Sequence, residues 1–250
     1  PYILGISSGA SLGATSAILL GIGVSLGPNF VGIAAFIGAF AISLAVLFIS
    51  NLGGRSNSMK LLLAGMALSA VCGAFSSFIV YFANNKEGMQ TIAYWMMGSL
   101  AGAKWGELAI IAPIIMASVI FFWTQSRVLN LMLIGDESAI TMGTDLHAYR
   151  QWYLLISSLI VGFAVYAAGM IGFVGLIIPH VIRMFTGPDH KRLIPVAALT
   201  GAIFLVICDG LCRIIIPHTE LPIGILISMI GAPSFIYLMI KKTYGFGGND

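Results

Sequence analysis

The sequence predicts an all-α fold, a polytopic helical membrane protein. Of its 250 residues, 59% are hydrophobic and only 8% are charged, where soluble domains carry roughly 25% charged residues. Mean hydropathy is +1.01, more apolar surface than a soluble core absorbs. The apolar residues fall in long runs, each near the ~20 residues that cross a ~30 Å hydrocarbon layer.

In chain order, full-length spans are expected at 30–50, 60–82, 106–124, 151–169, 195–212 and 222–241, with shorter or broken apolar segments at 10–26, 88–101 and 170–185. The polar joints are short, so residues 1–250 read as one transmembrane domain. The chain opens at Pro1-Tyr2 with no initiator methionine and no basic-then-apolar leader, and an N-terminal part is expected to precede it. Lys191-Arg192 and Lys241-Lys242 read as cytoplasmic by the positive-inside rule. Counting spans from there puts 125–150 inside and 213–220 outside. It also puts 51–60 outside, against the preference of Arg55 and Lys60.

Several chemistries are excluded or left without support. A net charge of +3, scattered along the chain, gives no nucleic-acid surface. No Gly-Lys dipeptide occurs, so there is no P-loop and the chain is not expected to hydrolyse ATP. No HExxH is present, and the spans are almost free of ionisable groups, so the chain is not read as an enzyme. Cys72, Cys208 and Cys212 all lie in apolar runs, which suits small packing residues better than disulfides or metal ligands.

Five stretches carry the remaining interest. In "GISSGASLGA" (5–14), Gly5, Gly9 and Gly13 recur every four residues. This is either small-residue helix packing or a broken helix lining a path, with Ser7, Ser8 and Ser11 as hydroxyls. In 133–150, Ala139, Met142, Leu146 and Tyr149 form one apolar face, and Gly143-Thr144 splits the segment into two short helices with Asp136 and Asp145 as N-caps. Such a pair lies on lipid or docks on a protein; its mainly acidic polar face favours a protein. Asp209 and Arg213 stand at i,i+4 near a span end, as a functional pair or as an interface pair. In 218–224, Glu220 and Pro222 suit a helix start, and Gly231 and Pro233 are expected to interrupt the following run where backbone lines a cavity. Pro179 is expected to end or kink a short pass. His180 and Arg183 beside it are either ligand or ion contacts or a structural knot on carbonyls freed by the proline; the knot is favoured. Asp189, His190, Lys191 and Arg192 read as a water-solvated cytoplasmic turn.

These stretches, "LGISSGASLGA" (4–14), "LLLAGMALSA" (61–70), "YWMMGSLAGAKW" (94–105), the 172–202 run and "ELPIGILISMIGAPSFIYLM" (220–239), resemble in order the FecCD-type permease subunits of bacterial ABC importers for iron–siderophores, haem and cobalamin. The resemblance implies an ABC type II importer fold with about eight of its roughly ten helices present, in the bacterial cytoplasmic (inner) membrane. It implies that Gly135, Asp136, Glu137, Ser138, Ala139, Met142, Gly143 and Leu146 belong to coupling helices that dock on an ATP-binding-cassette subunit. Ser7, Ser8, Asn84 and Asn85 would narrow the path on the cytoplasmic side. Arg213 would pair with a glutamate of a periplasmic or lipid-anchored substrate-binding protein. A second copy of the permease, or a close paralogue, completes the path, and no cofactor or metal is expected beyond ATP-Mg on the partner subunit. Ferric siderophore is the first cargo expected, followed by cobalamin and haem. The rival from another class is an ion-coupled secondary transporter, which needs buried acids or histidines in its spans.

Overall fold

The computed structural model describes residues 5–27, 29–52, 58–216 and 219–241. All regular structure among them is helical: α1 (Ile6–Leu20), a 3₁₀ turn (Val24–Leu26), α2 (Phe30–Asn51), α3 (Ser58–Ala83), α4 (Lys86–Met97), α5 (Trp105–Thr124), α6 (Ser126–Ile134), α7 (Asp136–Thr141), α8 (Leu146–Ala168), α9 (Val174–Thr186), α10 (His190–Ile215) and α11 (Ile223–Lys241). Five of these, α2, α3, α5, α8 and α10, are long and apolar enough to cross a membrane, and α1, α9 and α11 supply shorter apolar helices. The chain is a multi-pass membrane protein. The 88–101 segment does not become a pass. It forms the short α4 and a return loop.

Packing fixes which helix ends lie together. Gly32 of α2 lies against Tyr166 near the end of α8. At the other end, Gln151 Nε2 donates to Asn51 Oδ1 at 3.2 Å. These two helices are therefore antiparallel. Trp123 Nε1 donates to the Lys191 carbonyl at 3.0 Å, which places the start of α10 beside the end of α5. Lys191 and Arg192 mark this inner end by the positive-inside rule.

Two expectations on sidedness are corrected by this packing. The flanks of the 51–60 loop lie at the inner end, because Leu61 packs with Val46, Leu47 and Leu154; residues 53–57 are outside the described residues. Lys60 thus obeys the charge rule, and the span count failed because it took 88–101 as a pass. The α4 helix there is only 12 residues long, and the chain returns at Gly98 beside Met170, just past the end of α8 and on the side where α3 ends and α5 begins. Gly5 lies against Ile42 and Gly65, well above the inner ends of α2 and α3. The second correction concerns Asn84 and Asn85. Gly88, just after them, lies against Leu19 at the far end of α1. They stand at the outer end, opposite the 125–150 segment.

The core is built from small residues. Ile6, Ala10, Ala14, Ala35, Ala39 and Val165 form a buried cluster where α1, α2 and α8 meet. Without water between helices, contact depends on close approach rather than on apolar transfer. Cys208 and Cys212 pack on Ile223 and Ile227, and Cys72 is also buried; all three are free thiols.

Candidate functional site

The "GISSGASLGA" stretch resolves into two faces of one helix. Gly9 and Gly13 face α2: an added Cβ would fall 2.5 Å from the Gly38 carbonyl oxygen and 2.2 Å from that of Ala34, respectively. Ser7, Ser11 and Thr15 follow the same four-residue period two positions away, about 200° round the helix. They face a cavity of about 830 Å³ between α1, α3 and α4. Small-residue packing holds for the glycine face; the helix is not broken, and its hydroxyl face lines the cavity. Gly5–Gly9 also spells G-x-S-x-G, yet Ser7 lies within α1, and no strand precedes it among the described residues.

The cavity wall carries hydroxyls from Ser7, Ser8, Ser11, Thr15, Ser76 and Ser77, thioethers from Met89, Met96 and Met170, and the Asn84 amide. Among the described residues, no charged side chain lines it. Ser76 Oγ is buried without a hydrogen-bond partner, and Ser11 Oγ stands 4.0 Å from Met96 Sδ. Thr15, Ser76 and the three methionines were not singled out from sequence, although the 7/11/15 spacing could have added Thr15. Asn84 and Asn85 are turn residues first. Asn84 takes a left-handed φ of 43°, which Asn tolerates. Asn85 caps α4 by accepting from Gly88 N at 3.0 Å.

At the inner end, α6 and α7 follow α5 and lead into α8. Gly135 and Gly143, at φ 105° and 81°, make the two turns around α7. Asp145 caps α8 as expected, accepting from His147 N at 3.0 Å. The cap position of α7 is Gly135, and Asp136 is the first helical residue. The second short helix does not exist separately, because α8 runs unbroken from Leu146. The expected apolar stripe divides: Ala139 and Leu146 are buried, while Met142 is exposed, as are Leu133, Ile134 and Ile140. Ser138 lies half-buried on α7.

The 172–195 region differs from its expectation. Pro179 sits inside α9 rather than ending it. His180 Nδ1 lies 2.6 Å from the Leu176 carbonyl oxygen, and its ring meets Phe235 edge-on at 5.6 Å. His180 thus bonds within α9, though to Leu176 and not to the Gly175 carbonyl, the one that Pro179 leaves without its N–H partner. Arg183 does not supply the predicted knot either, since its Nε is buried without a partner. Nor is the following turn merely solvated. Asn130 Nδ2 of α6 donates to Asp189 Oδ1 at 2.8 Å, and Asn130 Oδ1 accepts from His190 N at 2.9 Å. Asp189 also caps α10 through Lys191 N at 3.0 Å. The Asn130 amide, with these hydrogen bonds, holds the Asp189 carboxyl below its ordinary range.

At the outer end, Arg213 Nε donates to Asp209 Oδ2 at 2.9 Å, and Arg213 Nη1 lies 3.9 Å from Glu220 Oε1. The arginine is 48% exposed and sits between two acids. Pro222 directly precedes α11, its carbonyl accepting from Ile225 N at 3.1 Å. Gly231 and Pro233 do not interrupt α11, which is continuous. A Cβ at Gly231 would meet Ile177 Cδ1 at 2.5 Å, so its smallness serves packing against α9.

The FecCD transport family profile matches residues 1–241. The chain belongs to the FecCD transport family. This FecCD chain is 40% identical over 239 residues to the cobalamin import system permease protein BtuC of Halobacterium salinarum, covering 96% of this chain and 63% of that protein. It is 38% identical over 246 residues to the hemin transport system permease protein HmuU of Yersinia pestis, covering 97% and 72%. The FecCD chain thus spans about two thirds of the length of such relatives. Among solved structures it is similar to an inward-facing ABC transporter assigned to the metal-chelate type, with TM-score 0.87 and 30% identity over 97% of this chain and 76% of that one. Among the described residues of the FecCD chain, no three His, Cys, Asp or Glu side chains form a metal-binding group.

Proposed function

We propose that this chain is the membrane-spanning permease of a binding-protein-dependent ABC importer in the bacterial inner membrane, carrying a bulky metal chelate inward. The carrying observation is the cavity, about 830 Å³, lined by hydroxyls and thioethers and, among the described residues, by no charged group. A large solute whose polarity is spread over many atoms crosses such a wall without stripping a fixed charge of water. Thioethers adapt to irregular apolar surfaces. The relatives whose names state a cargo name cobalamin and hemin, so a tetrapyrrole-type macrocycle stands ahead of the ferric siderophore expected from sequence. A second copy of the permease would close the cavity's open side.

Energy would come from ATP-Mg bound on a partner subunit. The docking surface on this chain is the α6–α7 segment, whose Leu133, Ile134, Ile140 and Met142 are exposed at the inner end. Outside, the binding protein would dock at Arg213, exchanging its contact with Glu220 for an acid of the partner. A proton- or sodium-coupled carrier is disfavoured by Asp209. Asp209, near the outer end of α10, is paired with Arg213 at 2.9 Å, and Glu107, near the outer end of α5, is partnered by Asn29 and Lys104, so both of these acids are already engaged. The test is cargo uptake in vesicles after collapse of the ion gradients with ATP maintained. Uptake should persist; its loss would return the ion-coupled carrier.

A further inference from the structure

We infer that Asn130 is a positioning residue of transport: it couples the α6–α7 segment to the α9–α10 turn, so that motion imposed at the inner surface reaches the transmembrane helices. The inference rests on the proposed docking of an ATP-hydrolysing subunit on α6–α7.

Asn130 lies on α6, close before α7. Its amide uses both ends on one short turn: Nδ2 donates to Asp189 Oδ1 at 2.8 Å, and Oδ1 accepts from His190 N at 2.9 Å. His190 Nδ1 lies 2.7 Å from the same oxygen, which makes it a second donor to that oxygen when the ring carries its proton there. Asp189 in turn caps α10 through Lys191 N, and Trp123 of α5 holds the Lys191 carbonyl at 3.0 Å. One side chain thus joins α6 to the first residues of α10, a 26-residue helix whose other end carries Arg213. Hydrogen bonds to a charged acceptor and to a helix-cap backbone are the firm kind. A displacement of α6 therefore moves the foot of α10 instead of sliding past it.

A second observation bears on this turn. Arg183, at the end of α9 next to the turn, holds Nε buried without a partner. An unmet buried donor raises the free energy of the state that contains it. A shifted α9–α10 turn that satisfies it would be favoured by that difference.

The experiment uses the full-length permease in complex with its ATPase subunit, reconstituted in proteoliposomes with loaded binding protein. Cargo moved per ATP hydrolysed is measured for wild type, Asn130→Asp, the exchange Asn130→Asp with Asp189→Asn, and Trp123→Phe. Asn130→Asp is nearly isosteric but sets two carboxylates together; the exchange restores a donor–acceptor pair. Asn130→Asp is expected to keep hydrolysis and lower transport per ATP about tenfold, within the range of ordinary coupling energies. The exchange should recover it to within about twofold, and Trp123→Phe should lower it by a smaller factor. A purely structural role would change thermal stability and yield of complex but leave transport per ATP in the assembled fraction unaltered, and that result overturns the proposal. So does an exchange no better than the single variant. If Asn130→Asp does not assemble, an unaltered ratio in Trp123→Phe overturns it. Failure of the wild-type permease to bind an ATPase subunit would instead count against the proposed function.

Discussion

Replacing Gly38 by alanine tests the contact that sets the frame of the cavity. A Cβ there would stand 2.2 Å from the Gly9 carbonyl oxygen and 3.0 Å from its carbon. Ordinary carbon–oxygen contact lies more than about 1 Å further out, and both partners are backbone, so no rotamer change relieves the clash. The α1–α2 pair must separate, loosening the Gly9 and Gly13 approaches together. Overpacking of this kind costs about 1–3 kcal/mol, and the upper half of that range is expected because the clash is with main chain. The assay is reversible unfolding in detergent micelles, with Gly106→Ala as control. Nothing lies within 4 Å of a Cβ at Gly106, so that variant should be neutral or gain up to about 1 kcal/mol from helix propensity. Equal stabilities for the two variants would refute the close-approach account of the "GISSGASLGA" glycines.

Ser76→Ala removes a buried hydroxyl that has no partner and should stabilise the protein by about 1 kcal/mol; a comparable loss in chemical unfolding would show that the hydroxyl is satisfied. Asp189, its carboxyl depressed chiefly by Asn130, contributes stability at pH values above the ordinary carboxylate value, which is lost as pH falls through the depressed one. Thermal scans from pH 6 down to about 3 should therefore show a decline that Asp189→Asn flattens. Asp136→Lys with Glu137→Lys should reduce co-purification of the ATPase subunit, and unchanged pull-down would remove the docking assignment. Arg213→Glu should weaken binding-protein stimulation of hydrolysis while basal hydrolysis stays at the wild-type rate; normal uptake at limiting binding protein would leave Arg213 as an intramolecular anchor of Asp209 and Glu220.

The class of fold and the long spans were legible because hydrophobic length is a one-dimensional property: α2, α3, α5, α8 and α10 lie close to the runs that predicted them. Sidedness was not. It depends on the 88–101 segment returning to the side it left, as the 12-residue α4 and the Gly98–Met170 contact show; counted as a pass, that segment put the 51–60 loop on the wrong side. Prolines as helix ends were not legible either. Pro179 and Pro233 sit inside continuous helices, because neighbouring helices and side chains offset a lost hydrogen bond at membrane depth. The role of Asn130 was invisible in sequence, since its partners Asp189 and His190 are 59 and 60 residues away and no local pattern joins them. The hydroxyl face of α1 was half legible: Ser7 and Ser11 stood out, but Ser76 and Met96 reach the same cavity from other helices.

The most direct test of the central claim is ATP hydrolysis by the full-length permease with its ATPase subunit, alone and with binding protein loaded with cobalamin, haem or a ferric siderophore. The account predicts stimulation by one loaded binding protein, with a macrocycle cargo first. A permease that binds no ATPase subunit, or hydrolysis indifferent to every loaded binding protein, would contradict it.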